Sequence, residues 1–175
     1  YVNLIDENFY LAIRIGSLND SNLTAKAIGN ARWVCVASPS HLREYGTIET
    51  PSDLRHCPCV LYSLSNQGQT WTFKHRESGT KEEVRVNGTL STNAPVALLE
   101  IVLAGGGVAI APVWLFSEDI LAGRLSVVLQ DYELQRFPVN LITVDRRFRP
   151  YRLTAFMEYL ASAWKEDPDL ADWVQ

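Results

Sequence analysis

Three groups of residues in this 175-residue chain could do chemistry. The first is the glycine run Gly105–Gly107 within "LAGGGVAIAPVW" (103–114), which could wrap a phosphate or turn the chain. The second is "HCPC" (56–59), where Cys57 and Cys59 could hold a metal, exchange electrons or act as nucleophile beside His56. The third is a set of polar side chains next to short apolar runs: Ser17, Ser63, Ser65, Thr92 and Asn93. Hydroxyls and an amide of this kind can hold a small polar ligand.

The elements around each group decide between these chemistries. "TNAPVALLEIVLA" (92–104) has a cap at Thr92 or Asn93, Pro95 just inside it and Glu100 as its one charge. A segment apolar nearly all round predicts a buried helix. "VAIAP" (108–112) then reads as a buried strand. The glycines therefore sit at a helix C-terminus, where left-handed backbone angles are needed. Phosphate loops have the reverse order, glycine before helix, so that the helix amides meet the anion. The nucleotide reading is rejected on that ground. "HCPC" has no second cysteine pair at zinc spacing, and Cys57 and Cys59 read as partly buried thiols beside a strand start. A nucleophilic cysteine needs a base within reach, and neighbours such as His56 point away along an extended chain. His41, His56 and His75 are scattered and read as surface or loop residues. Arg14 lies inside a strand and needs a partner, with a structural ion pair favoured over a ligand contact. "RRFR" (146–149) reads as a solvated basic face.

Strands are expected at 11–15, 32–37, 59–63, 108–112, 125–129 and 138–144, the last apolar enough to be central. "TWTFKHRESGTKEEVRVNG" reads as a hairpin turning at "ESGT". Short helices are expected at 2–9, after a cap at Ser38 or Ser40, after Thr50–Pro51, and at 112–125. Leu153, Phe156, Met157, Leu160, Ala161 and Trp164 form one apolar stripe of a C-terminal helix starting near Pro150. Strands alternating with helices imply an α/β architecture with a largely parallel sheet.

The composition is that of a globular chain with a core, 47% hydrophobic and 21% charged. Its net charge of −4 argues against gripping nucleic acid by itself. No apolar run reaches membrane-spanning length, and the first residues do not read as a signal peptide. Three cysteines, an odd number, fit a reducing compartment, so the expected location is cytoplasmic.

"YLAIRIGSLNDSNLTAKAIG", "RWVCVASPSHLREYG", "TPSDLRHCPCVLYS" and "LLEIVLAGGGVAIAPVWL", in this order, resemble the effector-binding domain of LysR-type transcriptional regulators. The likeness continues through "AGRLSVVL" and "FPVNLITVDRRFRP" and covers nearly the whole chain. Tyr10 stands where the pattern has Asp, and Gly106 is an unusual middle residue of the glycine run. The resemblance implies two Rossmann-like subdomains joined by two crossover strands, as in type II periplasmic binding proteins, with a small-molecule cleft between them. The subdomains would be 1–38 with 139–175, and 39–138, the crossings falling at Ser38-Pro39 and Phe137-Pro138. It further implies a strand, a helix and a strand ahead of "VNLIDENF", and a winged helix-turn-helix before those. The chain is therefore expected to be truncated, with an incomplete first subdomain.

Ligands of open α/β sheets bind outside the carboxyl ends of strands. That rule selects Gly16, Ser17 and Leu18, then Ser63, Leu64 and Ser65, then Thr92 and Asn93, then Pro112 and Trp114. Each has a plainer role open to it. Thr92 or Asn93 could be only a helix cap, Ser17 only a turn residue and Trp114 only core. The implied function is effector sensing without catalysis, cofactor or metal. The implied partners are a small metabolite such as a carboxylate, a homodimeric or tetrameric assembly, and DNA through the missing region alone. A solute-binding protein of the same fold and a cysteine-dependent enzyme are the competing readings.

Overall fold

The computed structural model describes residues 9–16, 24–63, 68–143 and 150–167. They fall into two compact units, one from Tyr1–Arg32 and Arg136–Gln175, the other from Trp33–Gln135. In chain order the first unit opens with β1 (Ala12–Ile15) and β2 (Thr24–Ala31). The second contains β3 (Trp33–Ala37), α1 (Pro39–Tyr45), a 3-10 turn at Pro51–Arg55, β4 (Pro58–Tyr62), β5 (Thr70–His75) and β6 (Lys81–Arg85). It continues with β7 (Asn87–Thr92), α2 (Pro95–Leu103), β8 (Ala109–Pro112), a 3-10 turn at Val113–Leu115 and α3 (Ser117–Leu121). It ends with β9 (Ser126–Val128) and β10 (Tyr132–Leu134). The chain then returns to the first unit as β11 (Phe137–Thr143) and α4 (Tyr151–Glu166).

In the first unit β11 lies between β1 and β2 and is antiparallel to both. Its burial from Val139 to Thr143 agrees with the central place expected for it. α4 packs on β2, and the Trp164 ring occupies the space that a side chain at Gly29 would fill. Met157 is the buried centre of the α4 stripe, whereas Phe156 is half-exposed.

The second unit has a mixed sheet. β3 pairs antiparallel with β8 on one side and β9 on the other, while β4 and β7 are parallel. A parallel bridge at Cys59–Val108 joins these sets, with Val60 N donating to Val108 O (2.8 Å) and Val108 N to Pro58 O (2.9 Å). The β5–β6 hairpin and β10 form a second, antiparallel sheet. Trp71, Phe73 and Val84 point inward from it, as the alternation predicts, and share one core with Cys35, Leu54, Cys59 and Ile110.

The expected largely parallel sheet is thus corrected. Alternation of element types does not fix strand direction when strands are joined by hairpins and short turns. β2, β7 and β10 are additional strands that the sequence reading did not find. The helix expected at 2–9 lies almost wholly outside the described residues. α2 is not buried all round: Leu98 and Val102 are covered, but Val96 is 68% exposed. A single helix on one sheet buries one stripe only, whatever its other positions carry.

The glycines do end α2. Gly105 N donates to Val102 O (3.0 Å) and Gly106 N to Ile101 O (2.9 Å), with Gly105 at φ +84°. This is a Schellman ending, which requires a left-handed residue just past the cap. At Gly107 a Cβ would sit 2.9 Å from Pro58 O, against the backbone of β4. Elsewhere, Ser38 rather than Ser40 caps α1, its Oγ accepting from His41 N. Asp53 Oδ2 accepts from Thr50 N (2.8 Å), Glu49 N (3.0 Å) and Thr50 Oγ1 (3.1 Å). These bonds, the Thr50 amide first, hold its carboxyl below the usual range.

Two outcomes follow for stability by urea unfolding. Gly105→Ala should cost about 1–2 kcal/mol for its left-handed backbone, and Gly107→Ala more, because β4 cannot yield without losing its bonds to Val108. Asp53→Asn should cost ~1 kcal/mol at neutral pH. A depressed carboxylate stabilises above the ordinary carboxylate range and loses that effect as pH falls through its folded value. The gap between wild type and Asp53→Asn should therefore close below about pH 4.

Candidate functional site

The second unit gathers four of the expected site residues around α2. Tyr62 is in register with Thr92 on the parallel pair β4–β7, and Ser63 N donates to Thr92 O (2.9 Å) just beyond. Ser63 and Thr92 therefore sit side by side where two parallel strands end. β8 runs in the same direction as β4 from their bridge, so Pro112 closes a third strand with the same sense. The turn carrying Trp114 packs against α2. Trp114 is half-buried, and its carbonyl accepts from Ser117 Oγ (3.5 Å), so it is neither pure core nor fully open.

The helix start differs from expectation. Neither Thr92 nor Asn93 is the cap; Ala94 is, and no side chain covers it. Thr92 Oγ1 instead accepts from Ala94 N (3.1 Å), tightening the turn before the helix, while Asn93 is exposed. Pro95 has no N–H to offer. The Val96 and Ala97 amides have no acceptor among the described residues. Two amides at the positive end of a helix that meet no acceptor among the described residues, beside Ser63 and Thr92, form a surface suited to a small anion.

Gly16 ends β1 in the first unit at φ +107°, its N–H donating to Pro138 O (2.9 Å) and its carbonyl accepting from Asn140 Nδ2 (3.4 Å). Ser17, Leu18, Leu64 and Ser65 lie outside the described residues, as does "RRFR". Arg14 is half-buried on β1, opposite Asn140.

The thiols are more deeply placed than expected. Cys35, Cys57 and Cys59 are all buried and unbridged. His56 is exposed and half-buried His75 lies at the end of β5. His41 corrects the surface reading: it is fully buried on α1, with Nδ1 3.2 Å from Gly105 O. A seven-residue helix with Leu42 as its one aliphatic gave no pattern from which to find its inner face. Among the described residues no three His, Cys, Asp or Glu side chains converge as a metal site. None of their helices is long and apolar enough to cross a membrane.

Comparison with known proteins gives a consistent result. The family described as LysR substrate binding domain matches residues 2–165. The chain is 31% identical over 169 residues to the HTH-type transcriptional regulator PtxR of Pseudomonas aeruginosa, covering 96% of this chain and 53% of that protein. It is 26% identical to the HTH-type transcriptional activator AaeR of Escherichia coli, covering 94% of this chain and 52% of AaeR. The chain thus spans about half the length of these curated relatives. The fold is that of the regulatory domain of CrgA, a LysR-type regulator from Neisseria meningitidis, with TM-score 0.78, 24% identity, and 93% and 78% of the two chains covered.

The Thr92 turn gives a direct contrast. Thr92→Ala strands the Ala94 amide and should cost about 1 kcal/mol in urea unfolding. Asn93→Ala, which holds no cap, should stay within about 0.5 kcal/mol of wild type.

Proposed function

Because the chain belongs to the LysR substrate-binding-domain family, we propose that it is the effector-sensing part of a transcription regulator. In this reading it binds a small anionic metabolite, with a carboxylate as the favoured class. The observation that carries the reading is the pair of amides, Val96 and Ala97, without an acceptor among the described residues, beside Ser63 and Thr92 at the ends of parallel strands. The anion would take those amides and the two hydroxyls, with Asn93 and Pro112 around them and Trp114 against its apolar part. Gly16, Ser17 and Leu18 belong to the other unit and rest on the strand-end rule alone.

Binding is proposed to shift a regulator between two arrangements, which a ligand does only through unequal affinity for them. DNA contact is assigned to a region outside this chain, assembly to a homodimer or tetramer, and location to the cytoplasm. The curated relatives named above are transcriptional regulators, which supports sensing over catalysis or solute transport.

Thermal unfolding against a panel of small carboxylic acids, amino acids and aromatic acids tests the site. A ligand at a hundredfold excess over its Kd should stabilise the fold by about 2.7 kcal/mol. Ser63→Ala and Thr92→Ala should each weaken that binding severalfold, as the loss of one hydrogen bond does. Stabilisation by neutral compounds alone, or binding untouched by both substitutions, would overturn this placement of the site.

A further inference from the structure

The chain passes from one sheet to the other at Asn87. Val86 is buried and extends the β5–β6 pairing, its N–H donating to Gln69 O (2.9 Å). Gly88 is already in register with Cys59 on β4. Between them Gly88 N donates back to Val86 O (3.1 Å), which closes a three-residue turn centred on Asn87. The Gly88 amide is thus held by this tight turn and not by a strand partner. The Asn87 side chain is exposed. Among the described strands β7 pairs with β4 alone, so its other side is an open edge. Packing holds position 88 to glycine: a Cβ there would lie 2.5 Å from Leu61 Cδ1 and 2.9 Å from its Cγ, and Leu61 would have to move.

We propose that Asn87 is a site of spontaneous deamidation, a hydrolytic modification that ages the start of β7. The Gly88 backbone nitrogen gives its proton to hydroxide and attacks the carbonyl carbon of the Asn87 side chain. A new C–N bond closes a five-membered succinimide, the C–N bond to the side-chain nitrogen breaks, and ammonia leaves. Water then opens the ring at either carbonyl. One opening leaves aspartate. The other leaves isoaspartate, in which the main chain runs through the former side chain. Nothing is oxidised or reduced, and water is the one co-reactant. Glycine in second place favours the attack, because no Cβ stands beside the attacking nitrogen.

The other asparagines among the described residues lack one or more of these conditions. Asn140 is buried on the central strand β11 and followed by Leu141. Asn30 is paired with Pro138 on β2 and followed by the buried Ala31. Asn93 is exposed, but Ala94 after it carries a Cβ, and the Ala94 N–H is taken by Thr92 Oγ1 (3.1 Å). Asn87-Gly88 is also the one Asn-Gly pair in the sequence. The two products differ in consequence. Aspartate adds a charge at an exposed position. Isoaspartate lengthens the backbone by one carbon where the Pro58–Asn87 register begins, beside the register shift already present at Cys59–Val60.

Incubation of the chain across pH 7–9, native and in urea, tests this, read by peptide mass spectrometry and by enzymatic methyl labelling of isoaspartate. In the native chain the peptide holding Asn87 should be the first to gain the mass of an amide-to-acid change. It should lead those holding Asn30, Asn93 and Asn140 severalfold, at a rate that rises with pH as the attacking amide loses its proton. Both products should form, and the isoaspartate fraction should unfold at a lower urea concentration than fresh chain. Asn87→Asp, which has the charge without the longer backbone, should unfold close to wild type. Gly88→Ala combined with Leu61→Ala, which makes room for the new Cβ, should slow the reaction severalfold. Should that double variant fail to fold, the native and urea-unfolded wild-type chains decide alone. An Asn87 that stays intact in the native chain while it reacts in urea would mean that the turn locks the amide, and would overturn the proposal. So would another asparagine that reacts first in the native chain, or an Asn87 rate that does not change with pH.

Discussion

The turn at Gly105–Gly107 is the constraint on which the second unit depends. It stops α2 through the Gly105 and Gly106 amides, and it brings the next strand hard against β4. The Gly105 carbonyl also receives the His41 ring from α1. One three-residue segment thus sets the end of a helix, the spacing of a strand pair and the orientation of an imidazole. No residue with a side chain could do the first and second together. The left-handed angle at Gly105 disfavours a Cβ, and the contact with Pro58 O at Gly107 leaves no room for one.

β4 is consequently tied at both ends. At its start Pro58 and Val60 bond to Val108, and the two thiols flank the same proline. At its finish Ser63 bonds to Thr92, next to the first amides of α2. The two ends of this five-residue strand are thus each secured by backbone bonds to a different neighbour.

Much of this was legible in the sequence, and the reasons differ by element. The glycine turn was readable because its position after an apolar helix excluded a phosphate loop. The β5–β6 hairpin was readable from the alternation of Trp71 and Phe73, and α4 from its repeat. β2 and β7 were not, because "TAKAIGNA" and "NGTLST" are small and polar, and what holds them is pairing to β11 and β4. Strand direction was not readable either, since an apolar run looks the same in both senses. At the candidate site, the strand-end rule named Ser63 and Thr92, which lie side by side, whereas the cap at Ala94 has no sequence signature. His41 was missed because a lone buried histidine is defined by what surrounds it in space, here the Gly105 carbonyl and the Tyr45 ring.

The division of the chain also shapes how it acquires its structure. The second unit is one continuous stretch, whereas the first is assembled from segments on either side of it. Ala31 and Phe137 are cross-strand partners, so the chain leaves the first sheet and re-enters it at adjacent positions. Pairing those strands around an unfolded intervening stretch would carry a length-dependent closure entropy of about 4 kcal/mol. If the second unit folds first, that cost is already met when β2 and β11 meet. The order of events is then built into the topology: the inserted unit acts as the clasp that lets the discontinuous one form.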